Sequence, residues 1–356
     1  MRIRERHQRC RLDLVQRRGH EYLSMENELI RITFVLTKGA DLVEFRHKLS
    51  DVDAMWHSPH RLNPPGTQVD SMANPGGAFL DYYPGGWQEI LPAGNGPCNY
   101  MGAQLGLHGE AALLPWEAEV VDDTPARVAV RLTTELRRTP FVVERIVTLE
   151  EGQLAMHWHG RVTNEGDQEL SFMWGQHAAF GAPFVEVGCQ IDMSPATVTT
   201  WPEPYSRGMR YAHNQTATWP NLRTVDGGIG RADLMPDKYA RTHDTYTITP
   251  EESWYAIRNP ARDLGFAMRW DRDIYPHMWA WQVYGGMWDY PYYGRAYVLA
   301  LEPFSSPAGS LVDNIARGTC RTLGAGQSVE VDLRAGFFVG AGAPVRGVDE
   351  AGGIVR

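Results

Sequence analysis

The chain has 356 residues, of which 43% are hydrophobic and 22% charged, a composition typical of a folded protein with a sizeable core. Its 34 lysines and arginines against 43 aspartates and glutamates give a net charge of −9, which argues against nucleic acid as the main partner. The sequence contains no run of about 18 apolar residues, which excludes a membrane-spanning helix. The four cysteines include no CxxC pair, and this spacing argues against a zinc module.

The first twenty residues carry the strongest charge bias of the chain. Seven arginines there outnumber two acidic residues, and no apolar segment follows, as a secretory signal would require. The alternation over residues 11–14 is typical of a strand at the edge of a sheet. We therefore predict a basic N-terminal arm or edge strand over residues 1–20 and one large β domain over 21–356. We also expect a cytoplasmic protein that is a monomer or homodimer.

Further along the chain, the dominant hydrophobic period is two. Apolar and polar residues alternate over 128–132, 154–162 and 329–333, and residues 141–149 form a run rich in β-branched side chains. With 36 glycines and 23 prolines, the chain leaves little room for long helices. Many short strands without crossover helices predict an all-β sandwich or barrel with few or no long helices.

Two long segments, residues 57–107 and 193–243, are rich in proline, glycine, asparagine and aromatic residues. Long ordered loops on a β scaffold are where binding sites usually lie. Sugars present an apolar C–H face and a rim of hydroxyls, so aromatic rings beside polar side chains match them. Among twelve tryptophans, Trp87 (beside Gln88) and Trp279 are candidate contacts for a small-molecule carbohydrate, and most of the others are expected to fill the core.

Histidines and carboxylates supply the candidates for chemistry. His108 and Glu110 lie two residues apart, His177 follows a strand-like segment, and Asp244 precedes another. Glu302 ends an apolar run just before a proline, where a carboxylate lies at the mouth of a sheet or has a specific partner. An imidazole and a carboxyl are the pair that moves one proton on and another off near neutral pH.

Other chemistries have weaker support. His157 and His159 would point to the same side of a strand, a spacing that a metal site could use, but they share that face with Arg161. We therefore interpret this face as solvated and expect no metal there. The sequence has no GxGxxG opening a helix, no P-loop, no GxSxG elbow and no HExxH, which disfavours nucleotide-dependent and serine-hydrolase functions.

Several short motifs, in order along nearly the whole chain, resemble the galactose mutarotase-like superfamily, the aldose 1-epimerases and their relatives. The segments that carry the resemblance are Glu26 to Thr33, Lys38 to Leu42, Leu107-His108-Gly109, Gln176-His177-Ala178-Ala179-Phe180, His243-Asp244 and Leu301-Glu302-Pro303. The resemblance implies a large antiparallel β-supersandwich over residues 21–356 whose concave face binds a free sugar.

The resemblance also implies roles for single residues in anomer interconversion. His177 would be the general acid that protonates the ring oxygen, and Glu302 the general base that takes the proton from the C1 hydroxyl. His108 would bind and polarise the ring region, and Asp244 would hold hydroxyls. No cofactor is required by this reaction. The remaining candidate substrate contacts are Trp87, Gln88, Glu110 and Trp279.

The sequence departs from the best-known epimerases around His177, where the expected proline and asparagine are missing and the local sequence is Ala178-Ala179-Phe180-Gly181. This departure indicates a less-studied branch and leaves two alternatives open. His108, Glu110, His177 and Glu302 could gather a divalent metal for proton abstraction from an oxidised sugar, as in a metal-assisted isomerase or lyase. The second alternative is a carbohydrate-binding protein that kept the pocket but does not catalyse a reaction.

Overall fold

Residues 9–63 and 78–356 are described by a computed structural model of the chain. About 50% of it is strand and 4% helix, which confirms the expected all-β fold with few or no long helices. The strands of the first half are β1 (Arg11–Arg17), β2 (His20–Glu26), β3 (Ile30–Val35), β4 (Asp41–His47), β5 (Val52–Asp53), β6 (Trp87–Ile90), β7 (Cys98–Tyr100), β8 (Ala103–Leu105), β9 (Glu117–Asp123), β10 (Arg127–Glu135), β11 (Phe141–Glu150), β12 (Ala155–Asn164), β13 (Leu170–Phe172) and β14 (Gly175–Phe180). Those of the second half are β15 (Gln190–Met193), β16 (Ala196–Thr200), β17 (Thr216–Thr218), β18 (Asn221–Arg223), β19 (Ile229–Arg231), β20 (Thr242–Pro250), β21 (Trp254–Asn259), β22 (Leu264–Trp270), β23 (His277–Tyr284), β24 (Tyr297–Phe304), β25 (Arg321–Leu323), β26 (Ser328–Val339), β27 (Gly347–Val348) and β28 (Ile354–Val355).

Two large antiparallel sheets dominate the structure. The twelve-stranded sheet has the order β1-β2-β3-β4-β6-β14-β24-β23-β20-β16-β17, with β5 beside β4, and the eight-stranded sheet has the order β15-β21-β22-β26-β12-β11-β10-β9. The three segments with period-two alternation lie in β10, β12 and β26, the run rich in β-branched residues lies in β11, and these four strands are neighbours in the smaller sheet. Strand β1 ends the larger sheet, so Arg11–Arg17 of the predicted basic segment form an edge strand there. Residues 1–8 of that segment lie outside the described residues.

The main core lies between the two large sheets, because alternate residues of each strand point inward. The indoles of Trp87 on β6 and Trp158 on β12 stack across this space, with ring centroids 5.2 Å apart and planes 7° apart. A buried ion pair joins the sheets beside them, with 3.3 Å between Arg145 Nη1 and Glu89 Oε2. Glu89 Oε1 also accepts a 2.8 Å hydrogen bond from Gln176 Nε2, so both charges of the pair are compensated inside the core.

A second apolar cluster covers the opposite face of the larger sheet, where β14, β24 and β23 are neighbours. Its base is a stack of Trp279 on Phe304, whose ring centroids lie 3.7 Å apart. Gly175 makes room for this stack, since a Cβ at that position would lie 2.1 Å from the Phe304 ring. The central strands therefore carry packed side chains on both faces, and the second face supports the site described below.

One α-helix occurs among the described residues, α1 (Leu311–Arg317), and the alternation pattern did not predict it. Its signal is a capping box, in which the Ser310 hydroxyl accepts the backbone N–H of Asp313 and the Asp313 carboxylate accepts that of Ser310. Gly318 ends the helix in the left-handed conformation, with φ of +67°. Two short 3₁₀ turns, Leu80–Tyr82 and Lys238–Ala240, complete the helical elements described. No helix in these parts of the chain is long and apolar enough to span a membrane.

Candidate functional site

A cavity of about 310 Å³ opens on the second face of the larger sheet. Its volume lies at the lower end of the range for small-molecule sites, and most of its walls are aromatic or aliphatic. Both long segments singled out in the sequence contribute to it: Leu80 and Tyr83 come from the first, Trp201 and Tyr205 from the second. Residues 64–77 of the first segment lie outside the described residues. The cavity also receives four of the eight predicted site residues, which are His108, His177, Trp279 and Glu302.

His177 and Glu302 meet in this cavity because their strands are neighbours. Strands β14 and β24 are antiparallel, with Ala179 opposite Ala300. His177 lies two positions before Ala179 and Glu302 two positions after Ala300, so both are on the cavity side. His177 Nε2 and Glu302 Oε1 are 3.6 Å apart. Trp279, on β23, pairs directly with Glu302 in the strand register, and both residues line the cavity. The predicted imidazole and carboxyl thus form one unit in the described structure.

Burial shifts both groups of this unit towards their uncharged forms. The two side chains are 5% and 3% exposed. Burial, with a smaller contribution from the charge of Lys38, lowers the pKa of His177 to about 4. Burial also raises the pKa of Glu302 well above its ordinary value. Glu302 Oε2 has no hydrogen-bond partner among the described residues, so this carboxyl group is unusually poorly satisfied for its burial.

Tyr83 holds the other side of the His177 ring. Its hydroxyl lies 3.3 Å from His177 Nδ1, which leaves Nε2 to face Glu302. The Tyr83 ring stacks on Phe79 at 5.1 Å, and the Phe79 ring lies 5.8 Å from that of His177. These contacts restrict the orientation of the imidazole. Tyr83 was not among the predicted site residues, although it lies in the aromatic segment singled out in the sequence.

His108 reaches the cavity from a tight turn. Its φ of +63° is a left-handed conformation, which histidine adopts more readily than most non-glycine residues. The following Gly109 is required by close packing, since a Cβ there would lie 2.4 Å from the carbonyl oxygen of Leu91. The His108 ring packs edge-on against that of His177, with centroids 5.2 Å apart. Burial lowers its pKa well below the ordinary value, and its Nδ1 has no partner in the described part of the chain.

On β20 it is His243, not the predicted Asp244, that lines the cavity, because successive strand residues point to opposite faces. Asp244 Oδ1 instead accepts the backbone N–H groups of Arg210 and Tyr211, at 2.8 and 3.1 Å. His243 Nε2 accepts the indole N–H of Trp281 at 3.3 Å, so the ring proton is on Nδ1, 3.1 Å from the hydroxyl of Ser206. Burial lowers the pKa of His243 to about 4. The alternation on this strand was the available signal for His243.

The other three predicted contacts lie outside the cavity lining. Trp87 faces the core between the sheets, where its Nε1 donates to Gln176 Oε1 at 2.8 Å. Gln88 Nε2 donates to the Gly85 carbonyl oxygen at 2.7 Å. Glu110 accepts the backbone N–H groups of residues 137 and 138, at 3.1 and 2.9 Å, and so anchors the turn after β10. The structure gives each of these side chains an internal partner.

Several cavity residues were missed by sequence reasoning. They belong to the two aromatic segments or to β23 and the loop after it; they are Phe79, Tyr83, Trp201, Tyr205, His243, Trp281 and Tyr292. Apart from His243, for which alternation was a signal, no motif distinguished them from core aromatics. Two of them carry buried polar atoms without a partner in the described structure, Trp201 Nε1 and Tyr292 Oη. Of the seventeen unpartnered buried polar atoms among the described residues, four belong to residues lining this cavity, counting His108 Nδ1 and Glu302 Oε2.

Three of the four residues that the metal-dependent alternative would use lie together, and the fourth lies elsewhere. His108, His177 and Glu302 share the cavity, but the Glu110 carboxylate is occupied by backbone N–H groups. Within residues 9–63 and 78–356, no group of three or more histidine, cysteine or carboxylate side chains has an arrangement that could hold a metal ion. His157 and His159 lie on the outer face of the smaller sheet, where both contact Asp332 Oδ1, at 2.6 and 3.2 Å.

Comparison with solved structures identifies the fold class. A candidate aldose 1-epimerase from Klebsiella pneumoniae superposes with a TM-score of 0.70 and 18% identity, over 91% of this chain and 80% of that one. A galactose mutarotase-like protein from Clostridium acetobutylicum gives a TM-score of 0.62 and 12% identity, over 94% and 100%. A candidate mutarotase, YeaD, from Salmonella typhimurium gives 0.61 and 12%, over 92% and 94%. The fold is therefore that of the galactose mutarotase-like superfamily, as the sequence motifs predicted.

The family can be stated more narrowly. Residues 17–336 match the family model described as Domain of unknown function (DUF4432), and the chain belongs to that family. Comparison with curated protein sequences gives no match.

Proposed function

We propose that the protein is an isomerase of the aldose 1-epimerase type, which interconverts the anomers of a free monosaccharide or modified hexose. The observation that carries this proposal is the 3.6 Å approach of His177 Nε2 to Glu302 Oε1 at the base of an aromatic cavity. The pair has the two proton-transfer groups that ring opening needs, and the walls offer aromatic faces for the C–H surface of a sugar.

The spacing of the two groups matches the chemistry. Ring opening adds a proton to the ring oxygen and removes one from the C1 hydroxyl, and both oxygens are bonded to the same carbon. The acid and the base must therefore lie next to each other. We assign His177 as the acid at the ring oxygen and Glu302 as the base at the C1 hydroxyl. The C1–O5 bond breaks, the aldehyde rotates about C1–C2, and the C5 hydroxyl adds to the other face of C1 while both protons return.

The pair carries one proton throughout this cycle. Before ring opening the proton is on His177, as imidazolium beside carboxylate; with the open-chain aldehyde it is on Glu302. Burial favours this second, uncharged arrangement, as the pKa directions of both groups indicate. The charged arrangement is stabilised by attraction between opposite charges in a poorly solvated site and by hydrogen bonds from the sugar. The cavity therefore stabilises the state that accompanies the high-energy open-chain sugar.

The neighbouring residues would position the pair and the substrate. Tyr83 at His177 Nδ1 fixes the ring so that Nε2 faces the reacting oxygens. His108, neutral because of its burial, would hydrogen-bond the ring region of the sugar. His243 and the tyrosines of the wall would contact the hydroxyls, in place of the role that the resemblance implied for Asp244. The proposed reaction needs no cofactor.

The test is anomer exchange followed by NMR from pure α-glucose and α-galactose. Wild type should accelerate exchange, and His177→Ala and Glu302→Gln should each lower kcat/KM by about 10²- to 10⁴-fold, the usual contribution of a positioned proton-transfer group. His157→Ala, at a histidine on the outer face of the other sheet, is the matched control and should retain full activity. Parallel samples with EDTA and with Mn²⁺ should behave alike.

The outcomes separate the alternatives. A rate that requires Mn²⁺ would contradict the proposal and favour a metal-assisted isomerase or lyase. Sugar binding by folded wild type without any acceleration across a panel of aldoses would favour a carbohydrate-binding protein. An equal loss in the His157 variant would show that the effect does not arise at the cavity.

A further inference from the structure

The exposed aromatic side chains of this protein are concentrated at one place. Among residues 9–63 and 78–356, five tyrosine or tryptophan side chains are substantially exposed: Tyr205 37%, Tyr239 69%, Trp288 45%, Tyr290 45% and Tyr293 62%. Tyr205 lines the cavity itself. Trp288, Tyr290 and Tyr293 lie in the loop between β23 and β24, and that loop also contributes Met287 and Tyr292 to the cavity lining. An exposed group of large aromatics usually marks a binding surface.

Tyr239 joins the same surface through Arg241. The Arg241 guanidinium lies 5.6 Å from the centroid of the Tyr239 ring and 5.1 Å from that of Trp288, so the cation links the two rings. We call Tyr239, Trp288, Tyr290 and Tyr293 the aromatic rim. The rim is continuous with the cavity mouth, since Trp288 follows Met287 and Tyr293 follows Tyr292 in the chain.

The rim is also held in place before any ligand binds. The loop closes on itself through backbone hydrogen bonds from Gly294 to Met287 and from Tyr293 to Asp289, at 2.7 and 3.1 Å. The Trp288 ring lies over Gly294, where an added Cβ would be 3.5 Å from the indole. The Tyr290 hydroxyl contacts Asp81, in the 3₁₀ turn on the other side of the mouth. Side chains ordered in advance lose less conformational entropy on binding.

We propose that the aromatic rim binds the second and third units of an oligosaccharide whose reducing end occupies the cavity. The cavity, at about 310 Å³, is small, so the next units of a chain would have to lie outside it, where the rim begins. Aromatic rings of this size stack on the C–H faces of sugars, and tyrosine hydroxyls can form hydrogen bonds with the hydroxyl groups of the sugar. This inference deepens the proposed function and rests on its assignment of the cavity to a sugar.

The experiment measures binding rather than turnover, in the Glu302→Gln background, by titration calorimetry. The probes are glucose, maltose, maltotriose, cellobiose, cellotriose, galactose, lactose and β-1,4-galactobiose. Binding to at least one series should strengthen about tenfold from one unit to two or three, the effect of one aromatic stacking contact. Trp288→Ala and Tyr293→Ala should bring the ratio of the dissociation constant for one unit to that for two or three units close to one. Leu49→Ala, at an 88% exposed apolar residue between β4 and β5, is the matched control and should leave the ratio unchanged.

Three results would overturn the inference. One is equal affinity for one unit and for longer chains in every series. A second is a length dependence that Trp288→Ala and Tyr293→Ala leave intact. The third is a Trp288→Ala variant that changes the molar mass in light scattering but not sugar binding, which would make the rim an interface between copies. Length-dependent binding without anomer exchange by wild type would remove the proposed reaction and leave the rim assignment standing.

Discussion

The burial of His177 has a direct consequence for the pH dependence of the proposed reaction. The pair formed by His177 and Glu302 reacts with one proton, so its activity falls in acid when a second proton binds. The groups facing His177 are Glu302, His108, Tyr83 and the cation of Lys38. Desolvation is the largest influence on its pKa and disfavours the imidazolium, and the pKa is lowered from 6.5 to about 4. We therefore expect the acid limb of kcat/KM near pH 4.

The size of the effect follows from these two values. At pH 5, a group with a pKa of about 4 leaves about 90% of the pair in the one-proton form, whereas an ordinary histidine with a pKa of about 6.5 would leave about 3%. The buried site should thus retain about thirty times more activity at pH 5 than a solvated one. Anomer exchange would be followed by NMR from pH 4 to 8 at constant ionic strength, with the buffer-catalysed rate subtracted.

Opening the site should reverse this shift. Phe79 is 1% exposed and its ring lies 4.5 Å from that of His108 and 5.8 Å from that of His177, so Phe79→Ala would admit water to both. The acid limb should then move up towards pH 6.5. Phe338→Ala removes a buried ring from a separate apolar cluster that also contains Val348 of β27. It is the control for a general loss of stability. An acid limb of kcat/KM near pH 6.5 in the wild type would refute the reasoning. Equal shifts of the acid limb in Phe79→Ala and Phe338→Ala would refute it as well.

Two further predictions concern the framework of the site. Arg145→Met removes the charged partner of the buried Glu89 carboxyl group and should lower the free energy of unfolding in urea by about 3–5 kcal/mol. The added change Glu89→Leu should recover much of this loss, and a cost of Arg145→Met below about 1 kcal/mol would contradict the pairing. Asp244→Ala removes the acceptor for the backbone N–H groups of residues 210 and 211 and should cost about 2 kcal/mol. Because those residues follow the cavity wall at Tyr205, KM should rise more than kcat falls, and steady-state kinetics showing only a kcat effect would argue against this role.

The sequence predicted those features that depend on local pattern. Period-two alternation identified β10, β12 and β26, because a strand with one face in a core must alternate, and a run of β-branched residues identified β11. An apolar run that ends in a carboxylate made Glu302 a candidate, because such a group is rarely buried without a role, and the resemblance to the aldose 1-epimerases implied the roles of His177 and Glu302. The positions of both in one cavity depend on β14 pairing with β24, about 120 residues later in the chain, and no local pattern contains that pairing.

The positions of Trp87 and Asp244 outside the cavity lining also depend on pairing between distant strands. The segment containing Trp87 reads as a glycine-flanked loop, but it pairs with β14 and becomes a central strand, so its indole faces the core. His243 and Asp244 are adjacent on β20, and which of them faces the cavity is decided by pairing with β23 and β16. A shift by one residue exchanges the two faces of a strand, and only tertiary structure fixes this choice.

The buried carboxyl groups of Glu89 and Glu302 show how the same chemistry serves structure in one place and a site in the other. Glu89 is 1% exposed and is paired with Arg145, Trp174 and Gln176, which compensate its charge. Glu302 is 3% exposed, lies 3.6 Å from the His177 imidazole, and has one oxygen without a partner among the described residues. The fold thus supplies the Glu89 carboxyl group with several hydrogen-bond donors and leaves one oxygen of Glu302 without any among the described residues. Since an unsatisfied buried group costs stability, its retention beside a cavity is best explained by a ligand that completes its hydrogen bonds. This contrast supports assigning proton transfer to Glu302 and a structural role to Glu89.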